Sequence, residues 1–283
     1  MTIYLMTGPM FDGKTEWLIE KINEARLSDD YPIISTPIFK CVSQMDLKKR
    51  HEPVIKAHSS KSNDDAVSVQ RIVYRSDQIW DYMVKHRVKK FFINEVQFLD
   101  DCILDLVDAL KGYDGYIEGI STDFSGEAFP FLSFDNPNEF SYRTMGDLMA
   151  KLHPAPRLAD KYAKCAKVKL IAKGGTQQGR GDSGSIQRKC GARAIYTQRL
   201  ENGEPSKYGS MRIISSESDG KAIYEGKLIS YEPRCESCHE VPGKPSPRFG
   251  IEELIRPNQQ DLLRFGASKP RENIRPDLEE NPF

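Results

Sequence analysis

The fold is decided by the stretch Gly8-Pro9-Met10-Phe11-Asp12-Gly13-Lys14-Thr15, which has the pattern G-x-x-x-x-G-K-[ST]. An apolar run at residues 3–6 predicts a buried strand just before it. Helical spacing over residues 14–27 predicts a helix after it, whose apolar face is formed by Leu18, Ile22 and Ala25. Between strand and helix, the glycines let backbone N–H groups turn inward around phosphate oxygens, and the helix N-terminus adds its positive dipole. The stretch therefore predicts a loop that binds a nucleoside triphosphate.

Two side chains of this loop carry predicted chemistry. Lys14 would reach the outer phosphates of the nucleotide, and the Thr15 hydroxyl would hold Mg²⁺. The alternative is a glycine turn that joins a strand to a helix and binds nothing. All fixed positions of the pattern are matched and the flanking elements are of the expected kind, so nucleotide binding is favoured.

Composition excludes several classes of protein. The chain has 283 residues, and 41 basic residues balance 41 acidic ones, so no net positive field favours a nucleic-acid partner. We find no basic leader followed by an apolar segment and no apolar run long enough to span a membrane. A cytoplasmic protein without a membrane partner is expected. In that setting the six cysteines favour free thiols or metal ligands over disulfides.

The first part of the chain alternates strand-like and helix-like patterns. Strands are predicted at residues 31–36, 91–94 and 115–120, and a helix at 103–110. This alternation predicts an α/β fold of the P-loop NTPase type, with a parallel sheet and flanking helices, over residues 1–165.

The character of the sequence changes after residue 165. Residues 166–242 predict a small β-rich lobe, interrupted at about 174–188 by a glycine- and serine-rich segment that we interpret as a flexible insertion. Residues 243–283 form a proline-rich C-terminal tail with at most one short helix, near residues 251–255.

A second chemical motif follows the strand predicted at residues 91–94. In P-loop folds an acidic residue at the end of a later strand holds the Mg²⁺ shell. Asn94 keeps an oxygen acceptor in that place but lacks the charge that attracts Mg²⁺. Glu95 could act as the base for an attacking hydroxyl, or it could cap the following helix.

An ordered set of motifs resembles one family of enzymes. It consists of Gly8–Thr15, Asn94-Glu95-Val96-Gln97-Phe98, the block Gly119-Ile120-Ser121-Thr122-Asp123-Phe124-x-Gly126-Glu127-x-Phe129, the block Cys190-Gly191-Ala192-Arg193-Ala194-Ile195-Tyr196-Thr197-Gln198-Arg199-Leu200, and Tyr231-Glu232-x-Arg234-Cys235-x-x-Cys238-His239. This set resembles the thymidine kinases of the P-loop, zinc-containing type II, over residues 1–242.

The resemblance implies transfer of the γ-phosphoryl group of ATP, with Mg²⁺, to the 5′-hydroxyl of thymidine, giving thymidine monophosphate. Glu95 matches the general base of that family. The ATP and phosphate site would comprise Gly8, Pro9, Met10, Phe11, Asp12, Gly13, Lys14, Thr15, Asn94 and Gln97. The nucleoside would contact Met10, Phe98, Ile120, Phe124, Phe129, Thr197 and Tyr231, with the lobe closing over it. The resemblance also implies a homotetramer.

Two departures from the family pattern leave other functions open. Asn94 replaces the usual aspartate, which weakens the expected hold on Mg²⁺. Asp12 replaces a common serine and brings a negative charge near the phosphates, unless its side chain faces solvent. The alternatives are a kinase for another pyrimidine nucleoside, or a catalytically impaired ATP-binding module with a zinc lobe.

The third departure concerns the structural zinc that the resemblance implies. In the family two Cys-x-x-Cys pairs hold it, and Cys235 and Cys238 form one pair here. Cys190 matches one member of the other pair, but its expected partner position holds Gln187, and we interpret the insertion as having displaced that ligand. Cys165 is the predicted fourth ligand and His239 a weaker candidate; a metal-free lobe with buried thiols is the alternative.

Overall fold

The structure is a computed structural model. It describes residues 1–27, 36–42, 53–56, 66–88, 90–156, 162–172, 185–209, 221–224 and 226–245. Residues 1–243 form one compact unit. A second unit begins at residue 244, and only residues 244 and 245 of it are described. The predicted short helix near residues 251–255 lies outside the described residues.

Strands and helices share the described part of the chain. The strands are β1 Ile3–Gly8, β2 Ile38–Cys41, β3 Val54–Ile55, β4 Val67–Ser68, β5 Arg71–Val73, β6 Lys90–Asn94, β7 Asp114–Ile120, β8 Pro130–Leu132, β9 Phe140–Thr144, β10 His153–Pro154, β11 Val168–Ala172, β12 Ser185–Lys189, β13 Tyr196–Glu201, β14 Glu204–Pro205, β15 Lys221–Tyr224 and β16 Lys227–Arg234. The α-helices are α1 Lys14–Leu27, α2 Ser76–His86, α3 Ile103–Ala109 and α4 Met145–Lys151, and short 3₁₀ turns occur at Val96–Phe98 and Glu236–Cys238. None of the helices in the described ranges is long and apolar enough to cross a membrane.

A six-stranded sheet forms the centre of the molecule, with strand order β10-β1-β7-β6-β2-β5. Every neighbouring pair in it is parallel. The predicted α/β fold with a parallel sheet and flanking helices is confirmed. Most of the strand predicted at residues 31–36 lies outside the described residues, and the described strand nearest to it is β2.

Helices cover both faces of this sheet because its inner strands are apolar on both sides. On β6, Phe92 packs with Leu18 and Ile22 of α1 on one face. Its neighbours Phe91 and Ile93 point the other way, into a larger core that includes side chains of α2, α3 and α4. Among the described α-helices, α1 therefore packs on one face of the sheet and α2, α3 and α4 pack on the other.

The parallel arrangement brings three chain segments to one edge of the sheet. Strand β1 ends at Gly8 and leads into the glycine-rich loop, β6 ends at Asn94, and β7 ends at Ile120. Since β7 lies between β1 and β6, the loop after β1 and the turn after β6 flank the end of β7. Ligands of open parallel sheets bind at this edge.

Antiparallel strands form a smaller β-rich part. Strands β14-β13-β16-β15 make a four-stranded sheet, and β11 pairs with β12 in a separate two-stranded ladder. The predicted flexible insertion at 174–188 is wrong for residues 185–188, which are strand residues because they hydrogen-bond to β11. The rest of that segment, residues 174–184, lies outside the described residues. The predicted boundary between the α/β domain and the lobe stays a prediction.

Candidate active site

A cleft with about 420 Å³ of space open to solvent lies at the edge where β1, β6 and β7 end. It is lined by Met10, Phe11, Asp12, Gly13, Lys14, Thr15, Glu16, Glu95, Gln97, Glu118 and Ile120. The structure therefore brings the glycine-rich loop and the predicted base into one cleft, although they are about 80 residues apart in the sequence.

The loop owes its shape to two residues in the left-handed region. Gly13 has a φ of 71°, which a glycine adopts without strain, whereas Phe11 adopts a φ of 64° despite its side chain. Helix α1 then begins, and the N–H of Trp17 donates to the carbonyl of Gly13 over 3.0 Å. The Lys14 ammonium is buried and donates to the carbonyl of Pro9 over 2.6 Å, so it lies folded against the loop.

Asp12 does not face solvent, which corrects one of the two expectations for it. Its side chain is 5% exposed and lines the cleft. Its Oδ1 accepts a hydrogen bond from the N–H of Ala163 over 2.8 Å, across 151 residues of sequence. This hydrogen bond ties the loop to a distant segment of the chain.

Glu95 has an unusual backbone conformation for a residue with a side chain. Its φ and ψ are 56° and 48°, and its N–H donates to Oε1 of Glu118 over 2.9 Å. The interpretation of Glu95 as a helix cap is wrong, because its side chain makes no capping hydrogen bond to the Val96–Phe98 turn. Loss of hydration and the nearby Glu118 raise the pKa of Glu95 to about 7, against the opposing charges of Lys40 and Lys14. Such a carboxyl group suits proton transfer near neutral pH.

The strain at Glu95 gives a stability prediction. The left-handed conformation costs an L-residue about 1–2 kcal/mol, and glycine at this position avoids that cost. The greater conformational entropy of glycine in the unfolded state offsets part of the stability that is gained. We expect Glu95→Gly to be about 0.5–1 kcal/mol more stable than Glu95→Ala in chemical denaturation. The same pair at the exposed Glu20 of α1 is the control, and there alanine should be more stable by about 1 kcal/mol. Equal stability of the two variants at position 95 would contradict the strain.

Glu118 is a site residue that the sequence reasoning missed. Its side chain is 1% exposed, yet it lines the cleft. Besides the N–H of Glu95, the side-chain amide of Asn94 donates to its Oε1 over 2.5 Å. Burial raises the pKa of Glu118, while Lys14 and these two hydrogen bonds oppose the shift. The sequence feature that could have identified Glu118 as a site residue is a charged residue within the apolar pattern of β7.

Gln97 packs close to the end of β7. Its Oε1 accepts from the N–H of Ile120 over 3.1 Å, and its buried Nε2 has no hydrogen-bond partner among the described residues. A Cβ at Gly119 would lie 2.8 Å from that Oε1, so the close approach requires glycine. The phosphate contact predicted for Gln97 stays a prediction.

The residues predicted to contact the nucleoside fall into three groups. Met10 and Ile120 line the cleft, and the N–H of Met10 donates to the buried Thr197 hydroxyl over 2.9 Å. Phe129, by contrast, is 3% exposed and belongs to the main core, against which Phe98 also packs.

The other two predicted nucleoside contacts, Phe124 and Tyr231, stack on each other with their ring centroids 5.0 Å apart. The His239 ring also reaches this segment, because its Nε2 lies 3.1 Å from the carbonyl oxygen of Phe124 and it stacks on Tyr196. The loop after β7 is thereby joined to the β-rich part. Nucleoside contact by any of the seven predicted residues stays a prediction.

Four cysteines form a candidate metal centre: Cys165, Cys190, Cys235 and Cys238. Their Sγ atoms all lie within 4.8 Å of one another, and none of them is in a disulfide. Tetrahedral zinc with Zn–S bonds of about 2.3 Å separates its sulfurs by about 3.8 Å. The Sγ atoms of Cys190 and Cys235 are 3.8 Å apart, so this donor set fits zinc. His239 is not part of the cluster.

The β11–β12 ladder explains how Cys165 reaches Cys190. The N–H of Cys190 donates to Lys167, and the N–H of Gly191 donates to Cys165, so both cysteines lie at the base of this ladder. Gln187 lies on β12 and is exposed. The predicted insertion lies in the sequence between Cys165 and Cys190, and Cys165, the predicted fourth ligand, completes the cluster in place of position 187.

Comparison with known proteins bears on this geometry. Residues 1–133 match the family model described as thymidine kinase. This part of the chain, nearly half of its length, is similar to the thymidine kinases. It is 24% identical over 245 residues to a thymidine kinase of Mycoplasmoides gallisepticum, an alignment that covers 86% of this chain and 83% of that protein. The resemblance predicted from the motifs is confirmed.

At each position where the chain departs from the thymidine kinase pattern, the residue present makes a specific contact in the structure. Asn94 lies beside the buried carboxylate of Glu118, and Asp12 holds the backbone of Ala163. Cys165 and Cys190 meet across a ladder in place of a short Cys-x-x-Cys loop. The chain therefore differs from the pattern at positions where another part of the fold supplies a contact.

Proposed function

We propose that this chain is a thymidine kinase that transfers the γ-phosphoryl group of ATP to the 5′-hydroxyl of thymidine. The observation that carries the proposal is the convergence of Lys14, Thr15 and Glu95 on one cleft. A phosphate-binding loop and a carboxylate base that line one cleft are the parts that phosphoryl transfer to a hydroxyl needs. The similarity to thymidine kinases supports thymidine as the nucleoside that accepts the phosphoryl group.

The glycine-rich loop would bind the phosphates of ATP. The Lys14 ammonium would exchange its hydrogen bond to the Pro9 carbonyl for the outer phosphate oxygens, where it stabilises the charge of the transferring group. The cleft also offers the donors that Mg²⁺ prefers, namely the Thr15 hydroxyl and carboxylate oxygen. Bound Mg²⁺ would neutralise charge on the β- and γ-phosphates.

Glu95 would act on the acceptor. As the 5′-oxygen of thymidine forms its bond to the γ-phosphorus, the bond from that phosphorus to the β–γ bridging oxygen breaks and ADP leaves. The hydroxyl proton passes to the Glu95 carboxylate. A pKa of about 7, set mainly by loss of hydration, makes this carboxylate a stronger base than an exposed glutamate.

The β-rich part would close the nucleoside side of the cleft. Thr197 already contacts the loop through the N–H of Met10, and the four cysteines would hold structural zinc beneath the same sheet segment. Zinc would fix strands that have little apolar core of their own. The homotetramer implied by the resemblance stays a prediction, which analytical ultracentrifugation would check.

Turnover of a nucleoside panel tests the proposed function. We expect ATP- and Mg²⁺-dependent phosphorylation of thymidine and deoxyuridine, measured as ADP formation and as the nucleoside monophosphate product. Faster turnover of another pyrimidine nucleoside would contradict the assignment of thymidine and support the first alternative. ATP binding without turnover of any nucleoside would support a catalytically impaired ATP-binding module. That alternative is based on Asn94, which replaces the usual aspartate of the family.

A further inference from the structure

The inference concerns the buried carboxylate of Glu118 and rests on the proposed use of Mg²⁺ with ATP. Glu118 lies near the end of β7, the strand between the loop-bearing β1 and the Glu95-bearing β6. In the register with β1 it pairs with Met6, two residues before Gly8. Among the described strands of the central sheet, no other strand residue with a carboxylate lies so close to the middle of this edge.

The two hydrogen bonds of Glu118 fall on one of its two oxygens. Both donors, the Asn94 amide and the Glu95 N–H, bind the same atom, Oε1. Oε2 accepts no hydrogen bond from the described residues, and the side chain is 1% exposed and lines the cleft. A carboxylate in so buried a side chain loses most of its hydration, and a cation in the cleft would offset that cost.

Charge at this edge also favours a cation. Glu95 and Glu118 both line the cleft, and among the described lining residues the one lysine is Lys14. In P-loop enzymes an acidic side chain at the end of a later strand holds the Mg²⁺ shell. Strand β6 ends in Asn94, whose amide carries no charge. Glu118 offers that charge from the neighbouring strand, and the hydrogen bond from Asn94 orients it.

We propose that Glu118 supplies the carboxylate of the Mg²⁺ site in this chain, one strand away from the position where the family pattern has an aspartate. Asn94 and Glu118 would then act as a pair in which the amide donates and the carboxylate faces the metal. Compared with the family pattern, the carboxylate would lie on β7 instead of β6, and the site would keep the same negative charge.

Binding of Mn²⁺ and ADP, without any nucleoside, tests this assignment. Mn²⁺ takes the place of Mg²⁺ and is followed by electron paramagnetic resonance, with calorimetry for ADP in the presence of metal and in EDTA. We expect Glu118→Gln to weaken Mn²⁺·ADP binding by about 10–100-fold while metal-free ADP binding is unchanged. In the double variant Asn94→Asp/Glu118→Gln, which returns the carboxylate to β6, Mn²⁺·ADP binding should recover most of that loss.

Two further variants complete the experiment. Glu139→Gln, at an exposed position after β8, removes the same charge elsewhere and should bind like wild type. Glu118→Asp keeps the charge and should lose less affinity than Glu118→Gln. If the glutamine variant does not fold, Glu118→Asp is compared with wild type: its shorter carboxylate should weaken Mn²⁺·ADP binding and leave metal-free ADP binding unchanged, and wild-type Mn²⁺·ADP affinity would overturn the proposal.

Wild-type affinity of Glu118→Gln would overturn the proposal. So would an equal loss of ADP binding with and without metal, or a double variant with no recovery, since both describe a purely structural residue. Because no nucleoside is present, these outcomes are separate from failure of the proposed function. A chain that phosphorylates no thymidine could still show the expected metal dependence.

Discussion

Glu95→Gln is expected to lower kcat for thymidine phosphorylation by about 10²–10⁴-fold, the usual contribution of a positioned proton acceptor. Glutamine keeps the size of the side chain and the left-handed backbone strain, but it cannot accept the hydroxyl proton. The Glu95 N–H would still reach the Glu118 carboxylate, so the turn after β6 should keep its shape. The loss should therefore fall on kcat, with little change in KM for ATP or thymidine.

Steady-state and single-turnover rates with thymidine and ATP measure this effect. Glu20→Gln, which removes one acidic charge from the exposed side of α1, is the matched control and should keep wild-type rates. Thermal unfolding of both variants would show that they are folded. A near-native rate for Glu95→Gln would remove this carboxylate from the proposed reaction.

Cys165→Ser is expected to abolish stoichiometric zinc binding. Structural zinc takes four protein ligands, and serine is a poor replacement for a thiolate. Loss of one of the four clustered sulfurs leaves three thiolate donors. Since structural zinc contributes directly to folding, the melting temperature should also fall.

Metal analysis of purified protein should find about one zinc ion per chain in the wild type and little in Cys165→Ser. Cys102→Ser removes a thiol outside the four-cysteine cluster and should keep its zinc. Zinc retained in Cys165→Ser but lost in His239→Gln would assign the fourth ligand to the histidine. Absence of zinc from the wild type would favour the metal-free lobe.

Much of the α/β part could be predicted because its signals are local. The strand β1, the loop after it and α1 follow from apolar spacing and glycine positions within about 25 residues. Glu95 was identified because it follows directly after an apolar strand. Parallel strands end at one edge, so a residue at such an end is expected near the loop before any coordinates are known.

Other parts of the site depend on pairs that are distant in sequence. Glu118 matters because its side chain meets Asn94 across two adjacent strands, and no spacing within β7 encodes that contact. The bond from Ala163 to Asp12 spans 151 residues. Sequence patterns identify residue types at fixed spacings along the chain, and these contacts follow no fixed spacing.

From the sequence alone one could infer the glycine-rich loop, the alternation of strands and helices around it, and the four cysteines as candidate metal ligands. The folded structure was needed to show that Cys165 lies with the other three cysteines, that Asp12 points into the protein, and that a carboxylate on β7 lies beside Asn94. The difference lies in the range over which the interactions act. Backbone propensity and apolar periodicity act over a few residues, whereas strand register and side-chain hydrogen bonds join whichever residues the folded chain brings within about 3 Å.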